Sequence, residues 1–182
     1  FPVNVSSGVP TYEIAFGSQT RAQSLQEIPA LKWADLSSEN MGLTLVNDCK
    51  YGHSCVDDTL RLTLIRSSYD PDPLPEISDH EIKFAVTPHM GALDVVEATR
   101  AGEVFNSPMS VTSASVQEGE LPAEKSFLES LTPNVFVSTV KKAEGSGALI
   151  VRMFESQGLE TTAKIKIDGL ADANAKAVET DV

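Results

Sequence analysis

Four side chains with hydrogen-bonding or charged tips are crowded into one short stretch of the chain. They are Asn47, Asp48, Lys50 and Tyr51, and Gly52 follows them directly. An amide, a carboxylate, an ammonium group and a phenol can together orient a polar ligand, and a simple turn does not need so many of them. Asn and Asp also commonly satisfy backbone groups of their own turn, so a purely structural role stays open.

A metal centre is the first alternative for this loop, because His53 lies between Cys49 and Cys55. A zinc site would need a fourth ligand, for which Asp48 and Asp57 are the candidates, and neither spacing matches a zinc motif. The other two histidines bracket one predicted strand, which places them about 30 Å apart, too far to share an ion. We therefore predict that this chain carries no metal site.

Paired carboxylates are the second alternative, and two pairs occur, Asp57 with Asp58 and Asp70 with Asp72. Hydrolysis by two carboxylates requires them to lie about 5–10 Å apart on either side of the bond that breaks. Acidic turns supply such pairs by chance, and we interpret Asp57 and Asp58 as solvated turn residues. The sequence also contains no P-loop, no dinucleotide fingerprint and no nucleophile elbow, so no catalytic residue is predicted.

The charge balance excludes several classes of partner. Fourteen Lys and Arg stand against 26 Asp and Glu, and the net charge of −12 repels nucleic acid phosphates and anionic lipids. No apolar run approaches the roughly 20 residues that cross a bilayer, and the N-terminus lacks the pattern of a signal peptide. Two cysteines are fewer than a secreted disulfide scaffold usually carries. We predict free thiols, a cytoplasmic location, and neither a nucleic acid nor a membrane partner.

Alternation of apolar and polar residues predicts strands along most of the chain. A hairpin is predicted over residues 42–66, with the polar loop as its connection and Arg66 at the end of its second strand. Trp33, the only tryptophan, lies in the stretch of residues 31–36 and is interpreted as a core or inter-sheet anchor rather than a sugar-stacking platform. Residues 18–30 and 67–78 are predicted loops. The remaining predicted strands are Thr11–Phe16, His80–His89, Val135–Lys141, Ala148–Phe154 and Thr161–Ile167.

The predicted fold class is all-β, an antiparallel β-sandwich with one short helix and part of a smaller C-terminal β unit. The helix is predicted at Leu93–Val104, where apolar residues recur at helical spacing. Residues 1–107 are assigned to the main sandwich and residues 108–131 to a connecting segment with one candidate strand at Met109–Val116. Residues 132–182 form the smaller unit, whose tail from Ala171 has no predicted partner.

Six motifs follow one another within residues 9–168. They read, in order, TYEIAFGSQTR, LKWADLSSENMGLTLVNDCKYGH, DTLRLTLIRSSYDPDP, DHEIKFAVTPHMG, EGELPAEKSFL and VFVSTVKKAEGSGALIVRMFES. The series resembles the C-terminal region of glycoside hydrolase family 38 α-mannosidases, in the branch that includes bacterial and cytosolic or vacuolar enzymes. Relatives usually carry a longer segment before the KWADLS motif, so residues 22–30 are interpreted as a shortened loop.

The resemblance implies that the parent polypeptide is a retaining, zinc-dependent exo-α-mannosidase. In that family the aspartate nucleophile and the His and Asp zinc ligands lie in an N-terminal catalytic domain. A helical bundle follows it, and then β-sandwich domains of the galactose-mutarotase-like supersandwich type. None of the zinc or nucleophile motifs can be placed on this sequence. The chain is therefore expected to be a noncatalytic segment without a cofactor of its own, partnered by the catalytic and helical domains of its parent.

On this resemblance the polar loop is expected to form one wall of the α-mannoside site. Asn47 and Asp48 would hydrogen-bond to sugar hydroxyls, and Tyr51 would stack on or hydrogen-bond to the sugar. Lys50 would pair with a carboxylate of the catalytic domain, and Arg66 is a further substrate-facing candidate. All of the loop side chains should then point out of the sandwich. The alternative functions are a stand-alone carbohydrate-binding module and a scaffold that forms homo-oligomers.

Overall fold

The computed structural model describes residues 1–5, 7–72, 76–171 and 174–180. Within them, twelve strands and one helix are divided between two compact units, Phe1–Ser110 and Val111–Val182. Part of the predicted loop 67–78 and part of the tail from Ala171 lie outside the described residues. The predicted division into three segments stays a prediction.

The first unit contains two antiparallel sheets and one helix. In chain order its elements are β1 (Val9–Ile14), β2 (Gly17–Thr20), β3 (Ser24–Pro29), β4 (Trp33–Ser37), β5 (Met41–Asn47), β6 (Gly52–Val56), β7 (Thr59–Leu62), β8 (Phe84–Met90) and α1 (Val95–Asn106). One sheet has five strands in the order β2-β1-β4-β5-β8, and the other has three in the order β3-β6-β7. All neighbouring strands are antiparallel.

A single hydrophobic core joins these two sheets. Because side chains alternate across a strand, each sheet turns one face inward. The smaller sheet contributes the buried residues Ile28, Cys55 and Leu60 to this core, and the larger sheet contributes Tyr12, Ala34, Leu36 and Leu45. The first unit is therefore an antiparallel β-sandwich, which confirms the predicted fold class.

Helix α1 covers part of the outer face of the five-stranded sheet, where Trp33, Val46 and Ala98 form a second core. Trp33 is fully buried, so its predicted role as an anchor is confirmed. The helix begins two residues later than predicted because Asp94 is its N-cap, accepting hydrogen bonds from the first-turn amides. Within the described residues, no helix has the length and apolar character to cross a membrane.

In the first unit, a predicted loop and the predicted end of a strand are wrong. Residues 18–30, predicted as a loop, contain β2 and β3, which are edge strands with few buried side chains and hence no apolar alternation. Pro88, predicted to end its strand, lies inside β8 and pairs with Leu43. Proline is tolerated there because β8 is the edge strand of its sheet.

The second unit contains β9 (Leu128–Ser130), β10 (Val135–Lys142), β11 (Leu149–Glu155) and β12 (Ile165–Ile167). They form two separate two-stranded sheets, β10-β11 and β12-β9. The predicted hairpin across residues 144–147 is confirmed, but the candidate strand Met109–Val116 is not a strand. Only Val135 and Ser156 are buried among the described residues of this unit. It therefore has two sheets but almost no interior.

Candidate functional site

The polar loop of residues 48–51 connects β5 to β6, which belong to different sheets of the sandwich. The predicted hairpin over residues 42–66 is therefore wrong. Strand β5 pairs with β4 and β8, whereas β6 pairs with β3 and β7. Apolar alternation reports which face of a strand is buried but not which strand lies beside it. The loop is consequently the place where the chain passes from one sheet to the other.

Asn47 does not face outward, and this part of the prediction is wrong. Its side chain is 1% exposed, and its amide nitrogen donates to the carbonyl oxygen of Leu31 at 2.9 Å. Its own carbonyl accepts a hydrogen bond from Asn106 at the end of α1. Asn47 therefore links β5 to the segment before β4 and to the helix, while its side-chain oxygen is buried without a hydrogen-bond partner among the described residues.

Asp48 is half-buried, and local backbone groups occupy part of its hydrogen-bonding capacity. Its amide donates to the carbonyl of Lys83 at 3.2 Å, and its carboxylate accepts from the Lys83 amide at 3.3 Å. The thiol of Cys49 is also hydrogen-bonded to this carboxylate, and this bond is the main reason that the pKa of Asp48 is lowered. The structure thus gives Asp48 a local role beside any contact it makes to a ligand.

Of the four predicted loop residues, Tyr51 is the most exposed. Tyr51 is 53% exposed, and its position is fixed through its backbone carbonyl, which accepts from the Ala30 amide at 3.0 Å. Lys50 is half-buried. Among these four residues, Tyr51 is therefore the one most open to a partner or a ligand.

Arg66 lies near the same end of the smaller sheet, where it pairs with the carboxylate of Glu27. Glu27 was not identified from the sequence. The Arg66 guanidinium pairs with Glu27 at 3.5 Å, and the hydroxyl of Thr63 is hydrogen-bonded to the same carboxylate. Glu27 also lies beside Gly52, next to Tyr51 in the chain. Glu27 had no distinguishing pattern in the sequence, because it occupies a polar edge strand.

The cysteine and histidine cluster drawn from the sequence does not form a metal site. Cys49 is exposed and Cys55 is buried, and both are free thiols. His53 is buried in the sandwich, where its Nδ1 lies 3.4 Å from the carbonyl of Tyr51. Within the described ranges, no three His, Cys, Asp or Glu side chains are grouped so that they could hold a metal. The residues present do not fit the zinc that the family resemblance implies.

A second polar cluster, which was not predicted from the sequence, is centred on Lys32 and contacts the end of β5, directly before the polar loop. Lys32 lies 3.4 Å from Glu13 on β1 and 2.6 Å from Glu103 on α1. Burial raises the pKa of Glu13, more than its contacts with Lys32 lower it. Burial also acts to lower the pKa of Lys32, but its bonds to the two carboxylates outweigh this effect and raise it. The backbone carbonyl of Lys32 accepts from the Asn47 amide, so the cluster fixes the end of β5.

A third cluster crosses three strands on the outer face of the larger sheet. The carboxylate of Asp35 is fully buried and accepts from the Thr44 hydroxyl at 2.7 Å. Nε2 of His89 lies 2.9 Å from the same oxygen of Asp35. A side chain at Gly42 would collide with the His89 ring, so glycine is required for this contact. The cluster joins β4, β5 and β8 through one oxygen of the Asp35 carboxylate, and the other oxygen is buried without a hydrogen-bond partner among the described residues.

Two family models match the chain. The "Glycosyl hydrolases family 38 C-terminal domain" matches residues 1–74, and the "Glycosyl hydrolases family 38 C-terminal beta sandwich domain" matches residues 134–182. Among curated proteins, the chain is similar to "Alpha-mannosidase 2C1" of Homo sapiens, with 34% identity over 87% of this chain and 16% of the human protein. It is also similar to "Alpha-mannosidase G" of Dictyostelium discoideum, with 31% identity over 83% of this chain and 15% of that protein.

Solved structures agree with the observed fold. An α-mannosidase from Enterococcus faecalis V583 superimposes with a TM-score of 0.78 at 16% identity, over 92% of this chain and 21% of that one. A family 38 glycosyl hydrolase structure from Enterococcus faecalis gives a TM-score of 0.77 over 90% of this chain and 21% of that one. The chain spans about a sixth of the length of the curated relatives it matches. On the matched domains and relatives together, the chain belongs to the C-terminal region of glycosyl hydrolase family 38.

Proposed function

We propose that this chain is a noncatalytic β-sandwich segment of a retaining, zinc-dependent exo-α-mannosidase. In this proposal the segment supports and partly lines a mannose site carried by the catalytic domain of its parent chain. The observation that carries the proposal is a sequence match. Most of this chain matches about a sixth of the length of two proteins that are named α-mannosidases. The zinc belongs to the catalytic domain, and the α-mannoside contacts both parts.

The loop and Arg66 provide the surface for this role. Tyr51 presents an exposed side chain, and the Arg66 side chain is 81% exposed and pairs with Glu27 at 3.5 Å. A phenol can hydrogen-bond to a sugar hydroxyl or stack on a sugar ring, and an arginine can bind hydroxyls or a carboxylate of the neighbouring domain. Asp48 and Lys50 complete the proposed wall. Asn47 supports it from the interior and does not face the substrate.

Activity of the parent-length protein tests the lining role. Arg66→Ala and Tyr51→Phe should each lower kcat/KM for an aryl α-mannoside, on the order of tenfold if a hydrogen bond worth about 1.4 kcal/mol is lost. Arg100→Ala is the matched control, because Arg100 is also exposed and pairs with one carboxylate, Glu97, on helix α1. Unchanged kcat/KM in both the Arg66→Ala and the Tyr51→Phe variants would refute the lining role.

The isolated 182-residue chain tests the noncatalytic assignment. It should neither hydrolyse an aryl α-mannoside nor retain stoichiometric zinc after dialysis, whereas the parent-length protein should do both. Turnover by the isolated chain would overturn the assignment.

A stand-alone carbohydrate-binding module gains no support from Trp33, which is fully buried and cannot stack on a sugar. We further propose that the parent is cytoplasmic, in keeping with the two free thiols.

A further inference from the structure

A hydroxyl-lined cavity of about 660 Å³ lies on the outer face of the five-stranded sheet, beside the start of helix α1. Thr11 on β1 and Ser37 on β4, which are neighbouring strands, form its buried floor. The turn between β4 and β5 and the segment that leads into α1 form two of its sides. The polar loop of residues 48–51 lies at the other end of β5, whose seven residues span roughly 20 Å. The cavity is therefore separate from the polar loop.

The buried hydroxyl of Ser37 points to a ligand in this cavity. Ser37 is 8% exposed and lines the cavity, yet its hydroxyl has no hydrogen-bond partner among the described residues. Thr11 is equally buried, and its hydroxyl shares a hydrogen bond of 3.1 Å with the hydroxyl of Thr20, which also lines the cavity. A hydroxyl group can donate one hydrogen bond and accept two, so all three side chains retain unused capacity. Because a buried polar group without a partner is costly, a ligand that carries hydroxyls would be stabilised here.

The lining favours an uncharged ligand with several hydroxyl groups. In the described part of the chain, no Lys, Arg or His lines the cavity, and Glu39 is the charged residue on its rim. A carboxylate without a neighbouring cation disfavours an anionic ligand, whereas the exposed side-chain amide of Asn40 can both donate to and accept from a sugar hydroxyl. Val9, Leu93 and Val95 add an apolar patch that can contact the C–H groups of a sugar ring.

We propose that this cavity binds a neutral saccharide through the hydroxyls of Thr11, Thr20 and Ser37. Its volume of about 660 Å³ lies within the range of roughly 300–1,000 Å³ that is typical of small-molecule sites. The ligand hydroxyls take up the free hydrogen-bonding capacity of the three side chains, and the sugar ring lies against the apolar patch. The site uses neither Tyr51 nor Arg66, so it is independent of the proposed wall of the mannose site.

Titration of the isotope-labelled 182-residue chain, followed by NMR, tests this site. With methyl α-mannoside or methyl α-glucoside, the amide resonances of Thr11, Thr20 and Ser37 should shift and saturate for at least one of the two sugars. Methyl glucuronide is the charge control, and it should bind at least tenfold more weakly than the better neutral sugar because Glu39 repels its carboxylate. The absence of saturable shifts at these three amides, or equal affinity for the glucuronide, overturns the proposal.

A serine substitution separates this cavity from other sugar contacts. Ser37→Ala should lower the affinity at least threefold, and since its hydroxyl has no partner in the protein, the fold should be retained. Ser54→Ala is the matched control, because Ser54 is also 8% exposed but lies on β6 of the other sheet. Equal affinities of the two variants overturn the proposal.

The position of the shifts distinguishes this inference from the proposed function. Saturable shifts confined to Tyr51 and the rest of the polar loop would support the lining of the mannose site and contradict the cavity as a sugar site. Shifts at Ser37, together with unchanged kcat/KM of the parent-length Arg66→Ala and Tyr51→Phe variants, would support the cavity and contradict the lining role alone.

Discussion

At the scale of single residues, burial decides the chemistry of the sandwich core. The hydroxyl of Tyr12 and Nε2 of His53 are buried and have no hydrogen-bond partner among the described residues. The two rings meet edge to face, with centroids 6.5 Å apart. Burial raises the pKa of Tyr12 to about 12 and lowers the pKa of His53 to about 4. Both groups are therefore neutral near pH 7, which is the state that a core tolerates.

The buried histidine predicts acid sensitivity of the first unit. The pKa of His53 is about 4 in the folded protein and near 6.5 in the unfolded chain, so the unfolded chain binds the proton first as the pH falls. The stabilising contribution of the neutral ring is complete above pH 6.5 and declines between about 6.5 and 4, by up to about 3 kcal/mol. When the free energy of unfolding is measured with urea at several pH values, it should fall less steeply between pH 6.5 and 4 for His53→Leu than for the unsubstituted protein. If the free energy of unfolding falls equally with pH in both proteins, His53 is not responsible for the acid sensitivity.

The two thiols should differ sharply in reactivity. Cys55 is buried, and burial raises its pKa to about 11, whereas Cys49 is exposed and its pKa is raised by its hydrogen bond to Asp48. Since the thiolate is the reactive form, Asp48→Asn should speed alkylation of Cys49 severalfold at pH 8. Iodoacetamide labelling followed by peptide mapping measures both sites, with Cys55 as the internal control. An unchanged rate at Cys49 would contradict the hydrogen bond.

At the scale of elements, the contact between α1 and the larger sheet depends on a small residue. A side chain at Gly102 would place its Cβ 3.0 Å from Lys32 Cβ and 3.2 Å from Trp33 Cδ1. Glycine in a helix interior usually costs about 1 kcal/mol relative to alanine, and here it permits the close approach of helix and strand.

Gly102→Leu should therefore destabilise the first unit by about 1–3 kcal/mol, because the buried Trp33 has no room to move. Chemical unfolding followed by the fluorescence of Trp33 measures the change. Val104→Leu is the control, since Val104 is 69% exposed on the same helix and should tolerate the larger side chain. Equal stability of the two variants would show that the helix shifts freely on the sheet.

Elements with apolar alternation could be predicted from the sequence, and others could not. Strands β1 and β10 and helix α1 carry clear patterns of apolar residues, and all three were predicted within a few residues. Strand β3 was missed because its burial is confined to Ile28, one residue in six. The hairpin over residues 42–66 was wrong because strand pairing is decided by contacts far away in the sequence. For the same reason Glu27 could not be connected to Arg66, 39 residues later.

At the scale of the whole molecule, burial is distributed very unevenly. Both hydrophobic core clusters lie in the first unit, and the second unit buries only Val135 and Ser156 among its described residues. Local stability follows the density of buried apolar contacts. Hydrogen exchange of the isolated chain should therefore show slow amides in β1, β4 and β5 and fast exchange in β11 and β12. Comparable protection in β4 and β11 would contradict this distribution.

Pro88 has a consequence for contacts between molecules at high protein concentration. Strand β8 forms one border of the five-stranded sheet, and exposed borders of this kind recruit strands from other molecules. Proline carries no amide hydrogen, so a foreign strand cannot build an unbroken ladder along β8. The residue predicted to end this strand thus interrupts the hydrogen bonds that a strand of another molecule could form along β8.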